Sequence, residues 1–189
     1  MYTMKWDGAC LSLLDQTKLP TLVEYIPCTS YLRVGRAIEV LGVRGAPGIG
    51  AAAAYGFVLA AREFSTKERA EFFSSMEAAE SYLRKTRPTA VNLFWALDKM
   101  HAVLEQNKEL SAAGILTALE EAAEAIARAD VEINHKMAAY GAELFSRPSN
   151  ILTHCNAGAL ATVEWGTALG VIRQAYQAGH VLRAFADET

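Results

Sequence analysis

The feature that most constrains the fold lies near the carboxyl end of the chain. A short apolar strand pattern, Ile151 to His154, leads into a loop of Cys, Asn, Gly and Ala. A helical pattern follows from Thr162 to Ala178, and Val181 to Ala186 has the pattern of a second strand. Strand, loop, helix and strand form a βαβ unit, whose two strands must be parallel because the helix crosses back over the sheet. The sequence therefore predicts an α/β fold.

The rest of the chain has a different character. Residues 1–28 alternate short apolar runs with turn residues, which indicates a small β-meander, and helical patterns continue from there to Phe145. We expect two domains: residues 1–147, with short strands over 1–28 followed by a helical bundle, and residues 148–189, which contain the βαβ unit. Two strands cannot cover their own apolar faces, so the second domain should expose apolar surface.

Composition excludes several classes of function. The chain is 52% hydrophobic and 21% charged, which is typical of a globular protein. A net charge of −3 without a basic block argues against nucleic acid as the main partner. Three scattered cysteines match neither a disulfide framework nor a metal-binding pattern and favour a reducing compartment. The most apolar segment, Ile49 to Ala61, is too short to span a bilayer. We expect a cytoplasmic protein without a membrane partner.

Cys155 is the first candidate functional residue. It stands at the end of the predicted strand and before the predicted helix, where unpaired N–H groups favour an anion and a reactive thiolate. The alternative is that Cys155 is a small buried hydrophobic residue, as most lone cysteines are. His154 precedes it in the strand and should face the opposite way, which argues against a Cys–His nucleophile pair.

Two arginines are the other candidates. Arg44 and Arg87 each precede a helical pattern that has proline, Pro47 or Pro88, in its first turn. A cation beside a helix N-terminus is suited to bind phosphate, so we interpret the two as arms of one anion clamp. The alternatives are that Arg44 pairs with a surface carboxylate and that the repetition is a coincidence. The helix after Arg87 is apolar on nearly all sides and is expected to be buried.

Three longer motifs resemble the signatures of the methylthioribose-1-phosphate isomerases, members of the initiation-factor 2B-like superfamily. They are Val43-Arg44-Gly45-Ala46-Pro47 with Gly50-Ala51-Ala52-Ala53-Ala54-Tyr55-Gly56, then Arg87-Pro88-Thr89-Ala90-Val91-Asn92-Leu93-Phe94-Trp95, and finally Thr153-His154-Cys155-Asn156-Ala157-Gly158-Ala159-Leu160-Ala161-Thr162. Shorter similarities at Met4-Lys5-Trp6-Asp7-Gly8 and at Asp187-Glu188-Thr189 extend the resemblance over the whole chain. Glu164-Trp165 stands where the family usually has small residues.

The resemblance implies an aldose–ketose isomerase of methionine salvage, which converts 5-methylthioribose 1-phosphate to 5-methylthioribulose 1-phosphate. It implies that Cys155 is catalytic and that Arg44, Gly45, Ala46 and Arg87 bind the sugar phosphate. It also implies a cytoplasmic homodimer, with neither a metal nor another cofactor in the reaction.

Members of that family continue well beyond Asp187-Glu188-Thr189, through the rest of a Rossmann-like domain. The continuation carries an aspartate regarded as the acid–base partner of the cysteine, and Asp187 is not its equivalent because it belongs to another motif. The resemblance therefore implies the N-terminal half of an isomerase, inactive alone. Three alternatives remain: a regulatory subunit of the translation-initiation guanine-nucleotide exchange factor, a ribose-1,5-bisphosphate isomerase, and a fold fragment without activity.

Overall fold

A three-stranded antiparallel sheet begins the chain. The computed structural model describes residues 1–187 and orders the strands β1 (Met4–Trp6), β2 (Leu11–Leu14) and β3 (Tyr25–Cys28), with β2 in the middle. Leu11 and Leu13 alternate along β2 with the half-buried Ser12 and are fully buried, which places one face of the sheet against the core. The predicted β-meander is confirmed.

Five helices follow and enclose the core. They are α1 (Tyr31–Glu39), α2 (Ala46–Phe64), α3 (Arg69–Thr86), α4 (Val91–Gln106) and α5 (Ala112–Glu143). Helix α2 is buried along nearly its whole length and contacts the other four, because its many Ala and Gly residues let neighbouring helices approach closely. Within residues 1–187, no helix combines the length and hydrophobicity needed to cross a membrane.

Helix α4 differs from the prediction at its start. The sequence placed Pro88 in its first turn, but the helix begins at Val91. Arg87 has φ −146° and ψ 83°, which lies outside the right-handed helical region that a following proline disfavours. The N–H of Ala90 then donates to the carbonyl of Arg87 at 3.0 Å and closes a turn before the helix.

The prediction that α4 is buried on all sides was also wrong. Leu93 and Leu97 are fully buried, but the side chain of Val91 is 76% exposed and that of Trp95 is 45% exposed. Helix α4 packs mainly against α2 and α5, with a smaller contact to α3, and the exposed Val91 and Trp95 leave part of its apolar surface uncovered.

The βαβ unit at the end of the chain is confirmed. Strands β4 (Ser149–Thr153) and β5 (Val181–Ala186) are parallel, and α6 (Ala168–Gln177) connects them. The crossover helix is shorter than predicted, since it begins at Ala168 rather than at Thr162. Trp165 and Gly166 adopt φ values of 77° and 95°, which a right-handed helix cannot contain. Only one 3-10 turn, Ala159–Ala161, forms before them.

The main hydrophobic core extends over residues from Met4 to Ala127. Within the described chain, the side chains of β4, α6 and β5 do not belong to this core. They are attached through α5, where a methyl group added at Gly141 would lie 2.6 Å from a methyl carbon of Val171. Leu152 and Leu182 are each 70% exposed, so the parallel pair shows the apolar surface that the sequence predicted.

Candidate functional site

The N-terminus of α2 has the features of an anion site. Gly45 is its N-cap with φ 83°, and a methyl group added there would lie 2.3 Å from the Cα of Ala161, so both the backbone conformation and the available space require glycine. No described side chain caps this helix. The N–H groups of its first turn, which includes Ala46, are therefore free to bind an anion.

The loop that carries Cys155 is held from the amino-terminal side of the molecule. The hydroxyl of Thr3 donates to the carbonyl of Ala159 at 2.9 Å, and the amide of Gln16 donates to the carbonyl of Leu160 at 2.7 Å. Ala161 lies against the backbone of Gly45. The 3-10 turn is thus fixed to both the β-meander and the start of α2.

A second anchor holds the end of the same loop to α5. The Asp130 carboxylate accepts hydrogen bonds from the N–H of Val163 at 2.7 Å and from the side-chain amide of Asn134 at 3.0 Å. Burial raises the pKa of Asp130, while these hydrogen bonds act in the opposite direction.

Trp165, one of the two residues that depart from the family pattern, forms a third anchor. Its ring lies 4.3 Å from the ring of His135 on α5, and the guanidinium of Arg173 on α6 lies 4.6 Å from its ring centre. Trp165 therefore joins α5 to α6. Its neighbour Glu164 is exposed and contributes a backbone carbonyl that accepts from the hydroxyl of Thr162.

Cys155 lies just beyond the carboxyl end of β4, is exposed, and has a φ of 68°. It lines a cleft of about 520 Å³ together with Arg44, Asn156 and Asp187. The other lining residues are Gln16, Leu19, Pro20, Leu160 and Ala186. The sequence placed Cys155 directly before a helix, whereas α6 begins only at Ala168. The helix N-terminus next to Arg44 is instead that of α2.

Arg44 is available to a ligand. Its side chain is exposed, and none of the ion pairs found in residues 1–187 includes it. The alternative that Arg44 is a surface residue paired with a carboxylate therefore has no support in the described chain. A cation without a protein partner, in the cleft that contains Cys155, can bind an anionic group of a ligand.

Arg87 occupies a different position. It is half-buried at the end of α3 and does not line the cleft of Cys155 and Arg44. A methyl group added at Gly50 of α2 would lie 2.9 Å from the carbonyl oxygen of Asn92, so the first turn of α4 packs directly against α2. Arg87 thus precedes a helix whose beginning is beside α2. Of the two arginines, Arg44 alone, next to the N-cap Gly45, precedes a helix with proline in its first turn.

Sequence reasoning missed the contributions of Gln16, Asn156 and Asp187 to the cleft. Asp187 directly follows β5 and Cys155 lies two residues after β4, and the carboxyl ends of adjacent parallel strands lie at one edge of a sheet. From the parallel arrangement of the two strands, the position of Asp187 near Cys155 could have been predicted. The Nδ1 atom of His154 lies 3.0 Å from a carboxylate oxygen of Asp187. His154 is therefore bonded to Asp187, and the sequence argument against a Cys–His pair agrees with this arrangement.

A profile of the initiation factor 2 subunit family matches residues 42–189. The chain belongs to this family. It is 51% identical over 187 residues to the methylthioribose-1-phosphate isomerase of Thermosipho africanus, a match that covers 99% of this chain and 54% of that protein. The protein of the same name from Desulforamulus reducens is 50% identical, with 100% of this chain and 55% of that protein covered.

Two crystal structures resemble the whole described fold. The 5-methylthioribose 1-phosphate isomerase of Pyrococcus horikoshii matches with a TM-score of 0.90 and 39% identity, over 97% of this chain and 51% of that one. A translation initiation factor eIF-2B subunit delta from A. fulgidus matches with a TM-score of 0.85 and 44% identity, over 100% and 55%. The chain thus spans about half the length of the relatives it matches, and the resemblance found in the sequence is confirmed.

Proposed function

We propose that the protein containing this chain is an aldose–ketose isomerase that converts 5-methylthioribose 1-phosphate to 5-methylthioribulose 1-phosphate, a step of methionine salvage. The observation that carries this proposal is that Cys155 and the unpaired Arg44 line one cleft. The names of the similar bacterial proteins support the choice of substrate. The proposed active form is a cytoplasmic homodimer, without a metal or other cofactor.

The substrate phosphate has an evident binding position. Arg44 provides a planar fork of N–H donors, and the uncapped first turn of α2 provides backbone N–H groups around Gly45 and Ala46. We assign Arg87 as the second arm of the clamp, because the helix that follows it packs against α2. Replacement of Arg44 or Arg87 by lysine would keep the charge and lose the bidentate geometry.

The reaction explains why a thiol is useful in this cleft. The anomeric carbon is esterified to phosphate, so ring opening alone does not give a free aldehyde. The ring C1–O bond must break and the ring oxygen must receive a proton. The hydrogen on C2 must move to C1, and the hydroxyl on C2 must lose its proton as C2 becomes the carbonyl carbon, so that protons gained and lost balance. Cys155 acts there as an acid–base group or as a stabiliser of the transition state. The hydrogen moves either as a hydride or through an enolate-like species.

The domain organisation follows the same proposal. Residues 1–147 form the N-terminal domain, and residues 148–189 are the beginning of a Rossmann-like catalytic domain. Because the relatives are about twice as long as this chain, we assign the activity to the whole protein and expect residues 1–189 alone to show no turnover. The acid–base partner of Cys155 is then expected in the part of the relatives that this chain does not match.

The similarity to an eIF-2B subunit delta favours one alternative, a regulatory binding subunit. An isomerase assay of the whole protein separates the possibilities, with 5-methylthioribose 1-phosphate and ribose 1,5-bisphosphate as parallel substrates. We expect turnover of the first only. Turnover of the second alone would identify the other isomerase, and absence of both binding and turnover would favour the regulatory subunit.

The matched control in this assay is a second cysteine. Cys155→Ser should retain substrate binding and lose turnover by about a hundredfold or more, as expected for a group that acts in the chemical step. Cys10→Ser changes a half-buried thiol that does not line the cleft and should leave turnover unchanged. Near-normal turnover by Cys155→Ser would show that the cysteine contributes only packing.

A further inference from the structure

The turn that presents Cys155 has a conformation that must be imposed from outside. Its φ of 68° lies in the left-handed region, which a non-glycine residue adopts at an energetic cost and keeps only when its surroundings hold it. On the carboxyl side, the loop is held by Thr3, Gln16 and Asp130, as described above. On the amino side, the last strand residue, Thr153, has a buried hydroxyl without a hydrogen-bond partner. Something else must fix that side of the turn.

His154 and Asp187 occupy the required place. Thr153 and Ala186 are partners in the parallel ladder, so the next residues of both strands emerge side by side. The N–H of Asp187 donates to the carbonyl of Thr153 at 3.3 Å, and His154 Nδ1 bonds to the Asp187 carboxylate at 3.0 Å. These two bonds tie the end of β5 to the residue directly before Cys155. Asp187 also lines the cleft itself.

We propose that His154 and Asp187 form a strand-end clamp that positions the Cys155 thiol in the cleft. They are positioning residues, since they act through the turn. The expected effect of the clamp on turnover rests on the proposed function. Its expected effect on the conformation of the turn rests on the geometry alone. An exposed pair adds little to overall stability, so the contribution of the clamp is local.

Two substitutions of His154 by an amide side chain differ only in whether the nitrogen can still reach Asp187. Asparagine places its amide nitrogen at the position of Nδ1, so His154→Asn can still donate to Asp187. Glutamine places its amide nitrogen one bond farther, near the position of Nε2, so His154→Gln cannot donate in the same place. Both variants carry a neutral amide on the same exposed site. A third variant, Glu39→Gln, breaks the exposed pair of Arg36 and Glu39 on α1 and controls for loss of any surface ion pair.

The experiment compares these variants of the whole protein in two measurements. His154→Gln should lower kcat for 5-methylthioribose 1-phosphate by about 10- to 100-fold with an unchanged KM, because a small displacement of a reacting group has effects of that size. Exchange of the Asp187 amide hydrogen, followed by NMR, should accelerate about two- to fivefold as the strand end loosens. His154→Asn and Glu39→Gln should match the wild type in both.

Each outcome is decisive for the clamp. Equal kcat losses in His154→Asn and His154→Gln would overturn it, as would unchanged kcat and exchange in His154→Gln. Faster exchange with an unchanged kcat would reduce the pair to a structural contact and would also overturn the positioning role. If the wild type turns over neither sugar phosphate, the proposed function fails, and unaltered amide exchange in His154→Gln would separately refute the clamp.

Discussion

The two small sheets of this chain contain similar residues and differ in what covers them. Strand β2 has Leu-Ser-Leu-Leu and strand β4 ends with Ile-Leu-Thr. Leu11 and Leu13 of β2 are fully buried, whereas Leu152 of β4 and Leu182 of β5 are 70% exposed. The difference shows that an apolar pattern predicts a strand but does not determine its covering. The candidate site lies between the two regions, with Arg44 from the well-packed region and Cys155 from the exposed one.

The contrast predicts that a leucine-to-alanine substitution destabilises the two regions to different extents. This difference in the free energy of unfolding is the largest effect that we expect. Leu13→Ala should lower the free energy of unfolding by about 2–5 kcal/mol, because it leaves a cavity in a packed core. Measured on residues 1–189, Leu152→Ala, the same substitution on an exposed strand, should change it by less than about 0.5 kcal/mol. Urea unfolding followed by circular dichroism measures both. Equal losses would mean that the parallel pair belongs to the core.

The contact between the two regions can be tested with two glycines that share a positive φ. A methyl group at Gly179, where φ is 78°, meets no atom within 4 Å, so Gly179→Ala should cost about 1–2 kcal/mol of backbone strain alone. Gly45→Ala adds a clash with Ala161 and should cost about 1–3 kcal/mol more. Thermal unfolding of both variants measures the difference, and similar losses would show that Gly45 and Ala161 are not in close contact.

Trp165 should matter to the exposed region and not to the core. Trp165→Ala removes the contacts with His135 and Arg173 and should destabilise β4, α6 and β5 by about 1–2 kcal/mol. Trp95→Ala is the control, since this residue is exposed on α4 and contacts Lys99 of the same helix. Hydrogen exchange should accelerate in residues 149–186 for the first variant only. Acceleration throughout the chain would contradict a local role.

The smallest effect concerns pH and the Asp130 link. Because the folded state raises the pKa of Asp130, this carboxyl binds its proton more tightly when folded. Its contribution therefore favours folding below its unfolded pKa and is lost as pH rises through the folded pKa. Relative to Asp130→Asn, the wild type should lose stability as pH rises above about 4. The free energy of unfolding of both proteins is measured between pH 4 and neutrality. The same dependence on pH in both would contradict this assignment.

The sequence predicted the elements better than their boundaries. The βαβ unit and the meander follow from local hydrophobic patterns, which the chain contains explicitly. The helix start at Thr162 was wrong because Trp165 is held in a left-handed conformation against α5, a tertiary contact that local periodicity does not contain. The start of α4 at Pro88 was wrong for a local reason, because the backbone of Arg87, directly before the proline, is not helical.

Part of the lining of the candidate cleft could be predicted from the sequence for the same reasons, while the roles of its residues stay predictions. Arg44 and Cys155 each stand next to an element boundary, so their neighbourhood is visible in the sequence. Gln16 and Asp187 reach the cleft through strand register and loop packing between residues far apart in the chain. Such proximity can be read only from the folded arrangement. The convergence of Arg87 with Arg44 stays a prediction.

The central claim is that Arg44 and Cys155 belong to one sugar-phosphate site, and protection of the Cys155 thiol tests it most directly. The rate of its alkylation by iodoacetamide is measured in the whole protein with and without 5-methylthioribose 1-phosphate. Cys10 serves as the internal control, and Cys28 should not react because burial raises its pKa to about 12. At about ten times the Kd, substrate should slow Cys155 alkylation about tenfold, since only free protein reacts. Arg44→Lys should require more substrate for the same protection. An unchanged rate of Cys155 alkylation in saturating substrate would contradict the account.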